Sequence, residues 1–211
     1  MKARALILFV LICLPLVFAI VPPTYGDQST LIVTDFQRNA HLQEYGMLIL
    51  TDTISVTNPS TSPVFHLLIA YPLTEIHNVK QFESETVDGN SLFFQRVALI
   101  GPNCTGWKVV LPEPLMPNQN TTIVTSMAIT GATVQDKLTA EVTFSPFPTS
   151  AYLVQSFATE FTHHSAVASP TQDSWTGIDL APYYFEERTV ILNHATNWFL
   201  PLITYLELKR T

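Results

Sequence analysis

Cysteine is nearly absent from this chain: Cys13 and Cys104 are the only two in 211 residues. Cys13 sits in an apolar N-terminal run, so Cys104 stands alone in the remainder. A disulfide framework is therefore excluded, and the core has to hold the fold unaided. Charge is scarce as well. Charged residues are 13% of the chain, about half the usual share. Lys plus Arg number 10 against 17 Asp plus Glu, and the few cations are scattered, which excludes an electrostatic nucleic-acid surface. Thr, Ser, Asn and Gln fill the outward positions instead. No window keeps a helical stripe for three turns, and 15 prolines and 7 glycines interrupt the pattern, so a helical bundle is excluded too.

What is present starts with the N-terminus. Lys2 and Arg4 precede an apolar run from Ala5 to Val21, followed by Pro22-Pro23-Thr24-Tyr25-Gly26. A basic flank, a short apolar segment and small residues before a cleavage point (Thr24 and Gly26, or Val17 and Ala19) predict a secretory signal over residues 1–26. The run falls at the short limit of a membrane span and carries Pro15 in its middle, so cleavage is expected, with a retained anchor as the alternative. The working part, residues 27–211, is then a single domain outside the cytoplasm: secreted, at a cell surface or in the lumen of the endoplasmic reticulum. Without Lys2 and Arg4 its charge is about −9.

Period-2 alternation dominates from Leu31 onward. Leu48, Leu50, Ile54 and Val56 point one way and Ile49, Thr51, Thr53, Ser55 and Thr57 the other, the pattern of a half-buried strand. Strands are also expected at Phe65–Tyr71, Ile76–Thr86, Ser91–Ile100, Trp107–Leu111, Thr121–Thr130, Leu138–Phe144, Tyr152–Phe161, Arg188–His194 and Phe199–Leu208. Asp88-Gly89-Asn90 predicts a hairpin turn, because glycine accepts positive φ without a steric penalty. Thr162–Pro182 is rich in Ser, Thr, Pro and Asp and predicts one long irregular loop, with a short helix or a lid around Trp175. The class is all-β, an antiparallel two-sheet β-sandwich. Leu202–Leu208 is expected to be either its last core strand or the start of a linker to a second domain.

Catalytic patterns are missing. There is no Gly-x-Ser-x-Gly elbow and no His-Glu-x-x-His. Adjacent His163 and His164 on a strand face opposite ways, so both do not easily hold one ion with Asp173. The expectation is therefore a non-enzyme without cofactor or metal. Asp52 occupies the otherwise apolar face of its strand, where it either pairs with a cross-strand donor or lines a polar groove. Two N-glycosylation sequons, Asn103-Cys104-Thr105 and Asn120-Thr121-Thr122, fall in turn-rich stretches and predict N-linked glycans at Asn103 and Asn120, whereas Asn58-Pro59-Ser60 is disqualified by its proline.

Phe144-Ser145-Pro146-Phe147-Pro148-Thr149 resembles an aromatic-Ser-Pro-Tyr-Pro-Thr segment of the ribophorin I family, a non-catalytic part of oligosaccharyltransferase. Asn193-His194-Ala195-Thr196-Asn197 with Pro201, followed by Leu206–Arg210, resembles a second segment of that family in the same order. The chain is much shorter than that family. The resemblance implies a lumenal accessory domain without catalytic residues, with oligosaccharyltransferase subunits as partners. The alternative is a free-standing immunoglobulin-like cell-surface or envelope module. The expected partner surface is Pro146, Phe147, Pro148 and Thr149, stiffened by proline, together with the loop around Trp175.

Overall fold

A computed structural model describes residues 30–43, 46–73, 75–135, 139–163 and 168–194. The expected signal at residues 1–26 and the expected strand Phe199–Leu208 lie outside them. Thirteen strands follow in chain order: β1 (Ile32–Leu42), β2 (Leu48–Thr57), β3 (Val64–Pro72), β4 (Val79–Thr86), β5 (Phe94–Gly101), β6 (Cys104–Leu115), β7 (Asn120–Ile129), β8 (Thr133–Gln135), β9 (Thr139–Phe144), β10 (Leu153–His163), β11 (Ala168–Pro170), β12 (Ser174–Leu180) and β13 (Arg188–His194). Between β3 and β4 there is one 3₁₀ turn, Ile76–Asn78.

The all-β reading holds, with the strands in three sheets. A six-stranded sheet runs β12-β10-β1-β2-β7-β4, a four-stranded one β11-β13-β9-β8, and a three-stranded one β3-β6-β5. Every pairing is antiparallel except β1 with β10. The alternation read in β2 is real: Leu48, Leu50, Ile54 and Val56 are buried together with Asp52, and Ile49, Thr51, Thr53 and Ser55 are half-buried. With Phe36, Ile123, Met127, Phe157 and Phe161 they form one face of the core. The three-stranded sheet supplies Leu67, Trp107 and Val109. Trp107 stacks on Phe82 of β4 with ring centres 4.1 Å apart, which joins the two sheets through a large aromatic contact.

Three expectations change. The Asp88-Gly89-Asn90 turn forms, with Gly89 at φ +80° and its N–H bonded to the Thr86 carbonyl at 2.9 Å. The arms do not make a hairpin, however: β4 stays in the six-stranded sheet and β5 joins the three-stranded one, with only the Glu85–Ser91 bridge between them. At this corner Phe82, which is buried, and Phe94, which stays partly exposed, meet edge to face with ring centres 5.0 Å apart. Next, β6 runs on through Pro112 and Pro114, where its register against β3 shifts between Val64 and His66; such an irregularity tolerates prolines that lack a donor. Finally, the loop expected over Thr162–Pro182 contains β11 and β12.

Candidate functional site

At the centre of the six-stranded sheet, Arg38 on β1 stands opposite Asp52 on β2. The guanidinium grips the carboxylate with two bonds of 2.7 Å, Nε to Oδ1 and Nη2 to Oδ2, and both residues are buried. A charge in the core is tolerable only when paired and hydrogen-bonded in this way. The remaining nitrogen, Nη1, donates to the Ser145 carbonyl at 2.8 Å and the Phe147 carbonyl at 3.3 Å. The Thr159 hydroxyl, on β10, donates to the Pro146 carbonyl at 2.5 Å. Residues 145–149 are thus strapped onto the sheet by two side chains that the alternation places inward. Of the choices open for Asp52, cross-strand pairing is the one realised.

This strap decides where the expected partner residues lie. Pro146, Pro148 and Thr149 are buried and Phe147 is half-buried, its ring 5.5 Å from those of Phe157 and Tyr184. Trp175 is also buried; it sits on β12, edge-on to Phe144 at 5.7 Å. The structure therefore puts these five in the packing between sheets and not on an open face. The two glycan acceptors are exposed. Pro102 and Asn103 form the turn between β5 and β6, with Asn103 at φ +53°, a backbone region that asparagine tolerates better than most residues. Asn120 opens β7.

The opposite face of the same sheet is open and polar. Gln37, Asn39, Thr51, Thr53, Ala158, Glu160, Asp173, Ser174 and Thr176 line a trough of about 570 Å³. It carries two carboxylates, and its only cation, Arg38, is committed to Asp52. The trough is bounded by β12, which has a neighbour on one side only. The Phe161 N–H bonds the Asp173 carbonyl at 2.7 Å, which makes that a hydrogen-bonded pair. Antiparallel alternation then turns the N–H and C=O groups of Trp175 and Gly177 toward β10, and those of Ser174, Thr176 and Ile178 toward the open side. The same three side chains are exposed, Ile178 at 73%. The sequence points to the loop around Trp175 as a partner surface, but neither the strand within it nor the trough beside it is legible there. The strand's signal, the alternation Ser-Trp-Thr-Gly-Ile, was hidden because one large apolar residue and a glycine are all that face inward.

A second polar cluster lies behind the strap. The Tyr71 hydroxyl donates to Glu75 Oε2 at 3.2 Å, and the Glu187 carboxyl stands close to the same group. Burial, and then Glu187, push the Glu75 carboxyl up to about 7. Tyr71, Glu75, Arg38 and Phe185 border a cavity of about 20 Å³, room for one water and too small for a substrate. Cys104 is a buried free thiol, its pKa raised by burial.

No protein-family profile matches the chain, and no curated protein does. Among solved structures it is similar to an M1 zinc metallopeptidase from Deinococcus radiodurans, with 14% identity over 81% of this chain and 44% of that one and a TM-score of 0.40. It is likewise similar to yeast LTA4 hydrolase, with 12% identity over 80% of this chain and 30% of that one and a TM-score of 0.44. The chain thus spans less than half the length of either. Zinc does not fit the described residues, among which no three His, Cys, Asp or Glu side chains are grouped to hold an ion. These likenesses correct the ribophorin I resemblance, the oligosaccharyltransferase role drawn from it and the expectation of a non-enzyme, since the structures found are metallopeptidases and a hydrolase. The Ser-Pro-x-Pro-Thr segment has a local cause instead: Arg38 and Thr159 need a string of inward carbonyls there.

Proposed function

We propose that this chain is a polypeptide-binding β-domain that holds an extended segment of another chain along β12. The observation that carries this is the row of outward N–H and C=O groups on Ser174, Thr176 and Ile178, beside an open polar trough. Among the described residues no strand pairs with that side of β12; the Ser174 carbonyl takes a bond of 3.0 Å from Gln172 Nε2, an exposed side chain that an added segment displaces. An extended peptide supplies the complementary row, and its alternate side chains then lie over the trough. With residues 1–26 read as an export signal, the ligands are extracytoplasmic polypeptides, and glycans at Asn103 and Asn120 are attached away from β12 in sequence.

Fluorescence anisotropy with a labelled eight-residue peptide of high β propensity tests the assignment. Thr176→Pro removes one outward N–H without touching the β10–β12 ladder, and proline is accepted on edge strands. The expected result is binding to the natural chain and at least about tenfold weaker binding to the variant, roughly what losing one or two hydrogen bonds costs, with the circular dichroism unchanged. Equal affinity for both chains would refute the assignment. Mass spectrometry of the same mixture shows whether a held peptide is also cut.

A further inference from the structure

Resting on this strand-pairing reading, we infer that the preferred ligand carries an apolar residue and, four positions later, a lysine or arginine. The register follows from the edge. A segment added antiparallel, the commoner arrangement, places successive alternate residues opposite Ile178, Thr176 and Ser174, with their side chains on the trough side. The first of these meets Ile178, which is 73% exposed and has apolar area to share. The third lies over Ser174, whose small side chain leaves the way open to Glu160, its partner on β10. Glu160 stands two strand spacings from the added segment, roughly 10 Å. A long basic side chain and a glutamate reaching toward it span that distance, whereas short polar residues do not.

Charge complementarity selects the sign. Glu160 and Asp173 line the same end of the trough, and neither makes an ion pair among the described residues. No lysine lines the trough, and its one arginine is engaged from the other face. The middle residue of the ligand faces Thr176 and Ala158, which set a limit on size but no charge. The inferred pattern is therefore apolar-x-small-x-basic, in one direction only.

The test uses the full chain and two labelled peptides, Thr-Val-Thr-Thr-Thr-Lys-Thr-Thr and the same sequence with glutamine for lysine. The lysine peptide is expected to bind about three- to fivefold more tightly, the worth of one partly exposed ion pair. The advantage should vanish at about 0.5 M salt and in Glu160→Gln, but persist in Glu85→Gln, a carboxylate on the far edge. If both peptides bind equally, or if Glu160→Gln keeps the discrimination, the specificity is overturned while strand pairing stands. If neither peptide binds the natural chain, strand pairing and specificity fall together.

Discussion

The six-stranded sheet has two edges, and they are built differently. At β4 the outer side is closed over Ser84–Thr86: the Leu92 N–H bonds the Ser84 carbonyl at 2.8 Å, the Thr86 N–H bonds the Asn90 carbonyl at 2.9 Å, and Ser91 bridges Glu85. The strand carries Lys80, Glu83 and Glu85 on exposed positions and an irregular register between Val79 and Gln81. These are the devices by which natural sheets discourage a further strand. At β12 none of them appears until Asp179, whose φ of +55° bends the end of the strand. Ser174–Ile178 holds no charge, no proline and no register shift. One sheet thus defends one edge and leaves the other available, which is the physical ground for placing the ligand at β12.

The largest effect is expected from the middle of the sheet, which both edges depend on. Asp52→Ala leaves the Arg38 guanidinium buried without its carboxylate, and breaking such a pair costs about 3–5 kcal/mol. The freed charge also sits under the carbonyls of Ser145 and Phe147. Urea unfolding should show the loss directly, with peptide affinity falling in step. Loss of affinity with stability intact would mean that Asp52 serves the β12 edge alone. Arg38→Met with Asp52→Leu, which removes both charges, should recover most of the stability.

A milder change converts one edge into the other. Ile178→Lys gives β12 the charged residue that β4 already has. It is expected to weaken the apolar-x-small-x-basic peptide by about tenfold, through lost apolar contact and repulsion of its basic residue, while changing stability by under about 0.5 kcal/mol. The reciprocal change, Glu83→Val with Glu85→Val, should create no binding at β4, because Asn90–Leu92 occupies that side whatever the side chains are. Peptide binding gained there would show that side-chain charge, not backbone coverage, closes the edge.

How much of this was legible in the sequence depended on how many large residues each strand turns inward. β2 turns four apolar groups to the core and β10 three, Val154, Phe157 and Phe161; the alternation shows both strands and, for β2, its facing. β12 turns in Trp175 and Gly177, and so was read as a loop. Pro146–Thr149 reads in sequence as a contact surface because proline stiffens it and lowers the ordering cost. Its burial depends on Arg38, 107 residues from Ser145 in sequence, and Thr159, 13 residues from Pro146. The sheet in which each strand pairs was equally hidden: nothing local at Asp88-Gly89-Asn90 says that the arms part. A strand's facing is a short-range property, whereas its neighbours are set by closure of the whole core.

A smaller effect links the flanks of the two edges. Glu75 precedes β4 and Glu187 follows β12, and the two carboxyls lie close together beside Tyr71, with Arg38 near enough to moderate the shift. The Glu75 carboxyl moves from an ordinary 4.5 to about 7 in the folded chain. Between those values the folded state keeps a proton that the unfolded state has released. This group's contribution is therefore most favourable below about pH 4.5, declines as pH rises toward 7 and then levels off. The melting temperature should fall over that range by more in the natural chain than in Glu75→Gln. Identical pH profiles for the two chains would remove the pair as a tie between the flanks.

The last comparison perturbs nothing and reads the edges directly. In native hydrogen exchange, the amides of β4 that face β7, the Thr86 N–H and the inner amides of β12 are held in bonds, whereas the N–H groups of Ser174, Thr176 and Ile178 face solvent. Protection along β12 should alternate: Trp175 and Gly177 slow, their even-numbered neighbours fast. Along β4, Thr86 should be slow although it faces away from β7, since its N–H is taken by Asn90. Adding the lysine peptide is expected to slow Ser174, Thr176 and Ile178 together and to leave Thr86 unchanged. If Ser174, Thr176 and Ile178 are already slow without peptide, the edge is occupied by the chain itself, and β12 is defended after all. If they stay fast at saturating peptide, the ligand lies in the trough without pairing with the strand. A uniform slowing of β12 and β4 alike would report global stabilisation, in which the two edges respond as one.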